Sequence, residues 1–301
     1  RRLLRRERIE AVYAVKGNAL ALALLATTGL RLPVVAHRGV DYPISRFSRL
    51  KYHHPRVRAI VAVSESTRRT MAASSPRLGR KTVVVYQAVA GRFFHPEDPG
   101  RLRREYAIPE HVPVIGVVGN LLPRKGHRHL VACLPAILAE FPDARFVFIG
   151  AGRLSDVVGP GVPGGDRILH TGFRRDPHEL LPGLTVSVNP AVEGEGLTGT
   201  TRESMAAGVP VVVTDVAGTK ELIEDGVSGF IVPAGDPAAL AAPILRLLRD
   251  PQLRRRMGAK GCERVEAIAS AEARARAMER IFREAIGGVS SEAATPDRSG
   301  A

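Results

Sequence analysis

The stretch TVSVNPAVEGEGLTGTTRE, residues 185–203, decides the fold of this chain. It begins with an apolar run typical of a buried strand, passes through a glycine-rich loop and enters a helical pattern near Thr201. Strand, loop and helix in this order form the repeating unit of parallel α/β sheets, and ligands bind beyond the carboxyl ends of such strands. We therefore expect an α/β fold with a binding site in this loop.

The same alternation extends in both directions from this stretch. Apolar runs predict ten strands, at residues 11–15, 34–37, 59–63, 82–86, 114–118, 145–149, 167–170, 185–188, 210–213 and 229–232. Helical patterns separate them, for example at residues 65–73 and 127–140. Because several runs are apolar throughout, they suit parallel strands covered on both faces. The sequence thus predicts doubly wound parallel sheets.

Proline and glycine are dense between residues 88 and 113, which predicts a linker with one short helix between two domains. We predict a first domain with about four strands at residues 1–95, a linker at 96–112 and a second domain with about six strands at 113–270. A terminal helix at 271–287 is expected to pack back on the first domain, and a disordered tail follows at 288–301. Because the chain opens on an arginine-rich run without methionine, we expect a preceding segment to be missing and the first domain to be incomplete.

The 301 residues carry a formal net charge of +14, which suits nucleic acid, an anionic membrane or a phosphorylated substrate as partner. Without tryptophan, with 5% aromatic residues and without a recognisable motif, we expect no nucleic-acid partner. Two explanations of the positive charge stay open: binding to an anionic lipid surface, and an effect on solubility alone. No apolar run approaches the ~18–20 residues that span a bilayer. With only two cysteines, Cys133 and Cys262, we expect a cytoplasmic protein, either free or peripheral on the inner face of the plasma membrane.

Two glutamates, Glu195 and Glu203, enclose the Gly/Thr loop. Glycines let a backbone approach a ligand closely, and the following helix N-terminus suits a phosphate. Glu195 is expected to accept hydrogen bonds from sugar hydroxyls and Glu203 from a ribose. Each has an alternative: Thr200-x-x-Glu203 has the pattern of a capping box, and Glu195 fits a solvated loop residue. Glu193 competes with Glu195 for the same role.

A second candidate follows the strand at 114–118, where Arg124 and Lys125 open a helix. The bidentate guanidinium of Arg124 and the compact charge of Lys125 both suit a diphosphate, although an exposed basic turn would have the same pattern. The P-loop spacing is absent. Gly150-x-Gly152 also follows a strand, but a dinucleotide fingerprint would need a third glycine. His37 ends a strand of the first domain, where it either faces the cleft or is structural.

Together these residues resemble glycosyltransferase family 4, the group 1 glycosyl transferases with the GT-B fold. The similarity is strongest over residues 189–232, where EGLTGTTRESMAAGVPVVVTD at 195–215 is similar to the family's Glu-x7-Glu segment. Residues 119–126 are similar to the family's phosphate clamp and residues 171–176 to its base-binding loop. Weaker matches lie in the first domain, and the resemblance spans about residues 10–285.

The resemblance implies two Rossmann-like domains facing a cleft, and transfer of a sugar from a nucleoside-diphosphate donor with retention of configuration. Glu195 would bind the donor sugar, Lys125 with Arg124 would neutralise the leaving diphosphate, and Glu203 would hold the ribose. Backbone groups of Gly196, Leu197, Thr198 and Gly199 would lie near the sugar and the phosphate. Phe173 and Arg174 would border the base, and His37 would approach from the acceptor side.

One departure from the family is Asn120, which stands where an arginine is common; either Arg124 and Lys125 act without it or the clamp is weaker. The implied acceptor is a glycan, a lipid-linked molecule or a small molecule, in glycan, lipopolysaccharide or glycolipid synthesis. No metal and no cofactor besides the sugar nucleotide is expected. Two alternatives stay open: another GT-B enzyme such as a nucleotide-sugar epimerase, and a non-catalytic nucleotide-binding or membrane-docking module.

Overall fold

The computed structural model describes residues 1–40, 42–193, 197–216 and 218–293. The chain forms two compact units, Ala88–Ala271 and a second one made of Arg1–Gln87 with the residues from Glu272 onward. Each unit contains one sheet in which every neighbouring pair of strands is parallel. The predicted α/β class with two parallel sheets is therefore confirmed.

The unit that begins the chain has a four-stranded sheet of order β1-β2-β3-β4, formed by Val12–Ala14, Val34–Arg38, Val57–Ala62 and Thr82–Val84. Its first five helices, α1 to α5, are Arg2–Arg6, Gly17–Ala26, Arg46–His53, Glu65–Ser74 and Pro76–Lys81. Val34, Ile60 and Met71 have no exposed surface and form part of its core. The apolar runs of the sequence thus become strands because both faces are covered.

The unit Ala88–Ala271 has a six-stranded sheet of order β10-β9-β8-β5-β6-β7. In chain order, β5 to β10 are Val114–Val118, Arg145–Ile149, Ile168–Gly172, Val186–Asn189, Val211–Thr214 and Phe230–Val232. All ten predicted strands occur among the described residues, and their ends differ from the prediction by at most two positions. Phe146 and Phe148 of β6 are fully buried in the core beneath helices of this unit.

The helices of this unit, α6 to α13, are Arg101–Glu105, His127–Val131, Leu134–Glu140, Pro177–Leu180, Gly199–Ala206, Thr219–Leu222, Pro237–Arg249 and Pro251–Ala269. Short 3-10 helices lie at Gly91–Phe93, Pro123–Lys125, Leu154–Asp156, Gly165–Arg167 and Leu181–Gly183. Leu102 of α6 is fully buried, so residues 96–112, expected to link two domains, pack on this unit.

The prediction of one helix over residues 127–140 is wrong, because α7 ends at Val131 and α8 begins at Leu134. The cause is Pro135, which lies in the first turn of α8. Proline has no backbone N–H and its ring clashes with the preceding turn, so a continuous helix through this position is disfavoured.

The last helix, α14, spans Ala271–Ala293. Its Ile281 and Ala285 are buried against Val35 and Val61 of the four-stranded sheet. The tail was predicted to be disordered from residue 288, but the helix continues to residue 293, so the prediction is wrong over residues 288–293. The helix can extend because each added residue contributes a further hydrogen bond. The rest of the predicted tail, residues 294–301, lies outside the described residues. Within the part of the chain that is described, no helix is long and apolar enough to cross a membrane.

Candidate functional site

The strand order of the six-stranded sheet reverses at β5, the first strand of its unit, which has β8 on one side and β6 on the other. Such a topological switch point leaves a crevice at the carboxyl ends of the two central strands, where α/β sheets bind ligands. The loop after β5, residues 119–126, and the loop after β8, residues 190–198, both begin at this crevice. They are the two loops that the sequence singled out.

The two loops touch each other through their backbones. The Val192 amide donates to the Arg124 carbonyl at 2.9 Å. Gly126 has φ +69°, and a Cβ at this position would lie 1.8 Å from the carbonyl oxygen of Pro190. Only glycine combines this left-handed conformation with so close an approach. The geometry therefore fixes the basic loop against the loop that precedes α10.

Lys125 and Arg124 are half-buried and lie in the 3-10 helix Pro123–Lys125. The Lys125 side chain packs along Gly119, where a Cβ would lie 3.7 Å from Lys125 Cε. Asn120 is exposed, and its side-chain oxygen accepts a hydrogen bond of 3.2 Å from the Ala151 amide. The asparagine thus ties two loops together in the place where the family often has an arginine.

Helix α10 is attached to β8 by side chains. The hydroxyls of Ser187 and Ser204 are 2.7 Å apart, and the Asn189 amide donates to the Thr201 hydroxyl at 3.2 Å. These bonds hold the helix N-terminus at the carboxyl end of β8. The first N–H groups of any helix have no partner within it, so they are available to an anion. The helix begins at Gly199, directly after the buried Thr198.

Two of the predicted site residues in this loop fall in the gap between residues 193 and 197 of the described ranges. Glu195 and Gly196, predicted to contact the sugar and phosphate, lie outside the described residues, whereas Leu197 is half-buried and the competing Glu193 is exposed. The roles assigned to these positions therefore stay predictions.

The capping-box interpretation of Glu203 is wrong. The N-cap of α10 is Thr198, it makes no side-chain capping bond, and Thr200 lies inside the helix. The helix starts earlier than expected because its bonds to β8 place it, so Glu203 lies beyond the third helical position that a capping box requires. Glu203 is half-buried, and burial raises the pKa of its carboxyl, while Arg202 and Arg92 act in the opposite direction.

Arg92 is a neighbour of Glu203 that the sequence did not reveal. It lies in the 3-10 helix Gly91–Phe93, where the guanidinium stands 6.0 Å from the ring centroid of the buried Phe93. It is exposed and close enough to lower the pKa of Glu203. No local signal marks it, because the two residues are far apart in the chain and only the fold brings them together.

Phe173 and Arg174, predicted to border a base, follow β7 and differ in their surroundings. The Phe173 side chain is 68% exposed, which leaves its ring available for stacking. Arg174 is paired with Asp176 at 2.8 Å and with Glu105 of α6. The hydrogen bonds from Arg174 hold the pKa of Asp176 down to about 2. The guanidinium is thus engaged in holding α6 to this loop.

The glycines of the weak dinucleotide pattern have a packing role. A Cβ at Gly150 would lie 2.1 Å from the Gly119 carbonyl oxygen, and one at Gly152 would lie 2.6 Å from Leu121 Cβ. Close approach of the loop after β5 therefore requires both glycines. Across the described residues, no three metal-ligating side chains of His, Cys, Asp or Glu come together.

His37, in the other unit, is the last residue but one of β2 and is 9% exposed. Its Nδ1 lies 3.2 Å from the Val15 carbonyl, which can only accept, so Nδ1 carries the proton and Nε2 is a free acceptor. Burial lowers the pKa of His37, and Arg274 lowers it further. The ring stands edge-on to Tyr13 at 6.0 Å.

Arg274, in the first turns of α14, was not found from the sequence. It donates to the Tyr86 carbonyl at 3.1 Å and acts on the pKa of both Tyr13 and His37. The helix was expected to return to this part of the chain, but no pattern marks which of its many arginines lies beside the histidine.

Comparison with known proteins gives a consistent assignment. Residues 112–250 match the family described as Glycosyl transferases group 1. The chain is 30% identical over 181 residues to the GDP-mannose-dependent monoacylated alpha-(1-6)-phosphatidylinositol monomannoside mannosyltransferase of Corynebacterium glutamicum, covering 57% of this chain and 47% of the relative. The chain thus spans about half the length of the curated relatives that it matches first.

Solved structures show the same fold. A glycosyltransferase from Rickettsia africae superposes with a TM-score of 0.85 at 20% identity, covering 95% of this chain and 79% of that one. Anabaena Alr3699/HepE, solved in complex with UDP, superposes with a TM-score of 0.79 at 21% identity, covering 91% and 79%. These similarities confirm the GT-B fold that the sequence resemblance implied.

Proposed function

Because residues 112–250 match the family described as Glycosyl transferases group 1, we propose that this protein is a retaining glycosyltransferase that moves a sugar from a nucleoside diphosphate to an acceptor hydroxyl. The observation that carries the proposal is the joining of two loops at the switch point by the Val192–Arg124 hydrogen bond of 2.9 Å. One loop supplies cations and the other a helix N-terminus, and both attract a diphosphate.

In the proposed reaction, the bond between the anomeric carbon and the diphosphate breaks, the acceptor oxygen bonds to the same face of the sugar, and the proton of the acceptor hydroxyl passes to the departing diphosphate. The departing diphosphate gains negative charge while the sugar becomes oxocarbenium-like. Lys125, assisted by Arg124, stabilises that charge together with the N–H groups at Gly199, the start of α10. Catalysis then rests on electrostatic stabilisation and positioning.

The carboxylates and His37 are assigned to hydroxyl groups. Glu203, half-buried beside Arg202 and Arg92, accepts from the ribose, and its destabilised charge gains from such a partner. Glu195 accepts from the donor sugar. His37 offers its Nε2 lone pair to a substrate hydroxyl, because Nδ1 is occupied by the Val15 carbonyl. Phe173 supplies an exposed ring that can stack on the base.

We also propose that the protein works in the cytoplasm as a peripheral membrane protein, making a glycan, lipopolysaccharide or glycolipid. Leu3 of α1 and Leu22 and Leu25 of α2 are each more than 60% exposed. Arg1 donates to the Leu25 carbonyl at 3.4 Å, which brings the arginine-rich start of the chain beside these leucines. Apolar side chains flanked by arginines suit an anionic lipid surface.

Two further observations support this location. Both cysteines of the chain are free thiols, as expected in a reducing compartment. The Corynebacterium relative is named for a phosphatidylinositol-linked substrate.

Flotation with phosphatidylglycerol vesicles and with phosphatidylcholine vesicles tests whether the exposed leucines bind an anionic lipid surface. We expect binding to the anionic vesicles alone and its loss in Leu22→Glu/Leu25→Glu; equal flotation with both vesicle types would refute it.

The donor site is tested by a thermal-shift screen with UDP, GDP and ADP sugars. A ligand at 100 times its dissociation constant stabilises a protein by about 2.7 kcal/mol. One nucleotide series should raise the melting temperature, and the matching sugar nucleotide should then be consumed only when an acceptor is added. Turnover of the donor alone would favour an epimerase. Binding without any turnover by the full-length protein would favour a non-catalytic module.

A further inference from the structure

A buried histidine stands directly behind the basic loop. His127 is the first residue of α7 and follows Lys125 and Gly126. Its side chain is 1% exposed, and neither ring nitrogen makes a hydrogen bond to another described residue. The ring packs edge-on against Phe148 of β6 with centroids 5.2 Å apart. The imidazole is thus enclosed, with an apolar ring on one side and two unused polar atoms.

Such an arrangement is unfavourable in the ligand-free protein. Burial, followed by the charges of Lys125 and His170, lowers the pKa of His127 to about 4, so the ring is neutral at pH 7. A neutral imidazole carries one N–H donor and one acceptor. Burying these groups without partners costs free energy, and a polar group in this state calls for an explanation.

The neighbouring histidine shows that this part of the fold can satisfy an imidazole. His170 of β7 places Nε2 2.8 Å from the Gly150 carbonyl, which can only accept. The acceptor that faces His127 is the backbone carbonyl of Gly119, which acts to raise the pKa of His127 although neither ring nitrogen meets it with the geometry of a full hydrogen bond. Gly119 begins the basic loop and lies against the Lys125 side chain.

We propose that His127 is a positioning residue that hydrogen-bonds to the Gly119 carbonyl when the loop of residues 119–126 closes on the diphosphate of a sugar nucleotide. The bond ties the first residue of the loop to the first residue of the helix behind it. Lys125, which packs along Gly119, is thereby held toward the phosphate. The inference rests on the proposed donor site and adds to it a residue that does not touch the ligand.

A substitution that removes both nitrogens separates this role from a structural one. In His127→Phe, a polar group without partners is replaced by an apolar ring, so the ligand-free protein should melt about 2–4 °C higher. Affinity for UDP or GDP, measured by calorimetry, should fall about tenfold, the worth of one hydrogen bond. His127→Leu repeats the test without overpacking.

Matched variants complete the design. His127→Gln and His127→Asn keep a side-chain N–H, the first farther from the backbone and the second nearer to it. One of the two variants should restore most of the nucleotide affinity. His170→Phe removes a hydrogen bond that is already made, so it should lower the melting temperature. Opposite signs at the two histidines would support the inference. A lower melting temperature in His127→Phe, or unchanged affinity in both apolar variants, would overturn it.

A measurement on the wild type covers the case in which a variant does not fold. The ¹⁵N shifts of the His127 ring should change on saturation with nucleotide as one N–H becomes hydrogen-bonded. Unchanged shifts in a protein that binds nucleotide overturn the role of His127 alone. A wild type that binds none of UDP, GDP and ADP overturns the donor site, and this inference with it.

Discussion

The carboxyl edge of the six-stranded sheet has two parts that treat their polar side chains differently. Beyond β6 and β7, Arg174 pairs with Asp176 and Glu105, and His170 bonds to Gly150. Beyond β5 and β8, burial raises the pKa of Glu203, and His127 has no partner among the described residues. The same edge therefore contains a satisfied part, where Arg174 and His170 are bonded to protein, and an unsatisfied part, where burial disfavours the ionised Glu203 and leaves the His127 ring without a hydrogen bond to a described residue.

The difference indicates where a ligand belongs. Partners supplied by the protein stabilise the ligand-free fold, so the side beyond β6 and β7 holds α6 in place. Polar groups left in an unfavourable environment reduce stability and are retained where a bound molecule satisfies them. The contact of Gly150 with Gly119 joins the two parts, whereas the contact of Gly126 with Pro190 joins the loops after β5 and β8.

The largest effect is expected from Lys125→Ala. Removing one preorganised charge from the leaving group should raise the barrier by about 2–4 kcal/mol, a loss in kcat of about 30-fold to 1,000-fold. Steady-state kinetics of the full-length protein measure it. Lys260→Ala, which removes an exposed lysine paired with Glu263 on α13, is the control and should change kcat little. Equal effects of the two substitutions would contradict the assignment.

Glu203→Gln should weaken UDP or GDP by about 1.5–3 kcal/mol, the range for hydrogen bonds to charged groups. Pyrophosphate, which has no ribose, should bind unchanged, and calorimetry with both ligands separates the two. Because the folded-state pKa of Glu203 is raised, its ionised form opposes folding above pH 4.5, so the neutral variant should not melt lower at pH 7. A lower melting temperature with unchanged nucleotide affinity would indicate a structural role instead.

Gly126→Ala tests the contact between the loops, and Gly172→Ala is its matched control. Both glycines have φ +69°, but a Cβ at Gly172 would meet nothing within 4 Å. Each substitution should cost about 1–2 kcal/mol for the left-handed backbone. Gly126→Ala should cost more than its control and should also weaken nucleotide binding, as urea unfolding and calorimetry would measure. Identical behaviour of the two variants would show that the loops do not depend on this contact.

Arg174→Ala tests the satisfied part and should have the smallest effect, about 1 kcal/mol of unfolding free energy for a partly exposed ion-pair network. The depressed pKa of Asp176 contributes stability above its unfolded pKa, which is lost as the pH falls toward about 2. Urea unfolding between pH 5 and 2 should therefore show a shallower loss in Arg174→Ala. A large loss of nucleotide affinity would instead move Arg174 into the site.

Much of this architecture could be predicted because it depends on local pattern. The strands are apolar runs covered on both faces, and the Lys125 loop and the α10 loop are found because ligand-binding loops follow strands. The first residue of α10 could not be predicted from the sequence, because the helix start depends on hydrogen bonds that Ser187 and Asn189 of β8 make to the helix.

Arg92 and Arg274 were missed for a related reason. Each reaches its partner only through the tertiary fold, and in an arginine-rich chain nothing local distinguishes it from its neighbours. His127 had a weak signal, a histidine directly after the Lys-Gly pair, but its lack of hydrogen bonds is a property of packing.

The central claim, that the unsatisfied part of the sheet edge holds the donor, is tested most directly by a crystal structure with the nucleoside diphosphate that the screen selects. We predict phosphate oxygens within hydrogen-bond distance of Lys125 Nζ and of the backbone N–H groups at the start of α10, with a ribose hydroxyl on Glu203. A nucleotide whose phosphates lie away from Lys125 and from the start of α10 would contradict it.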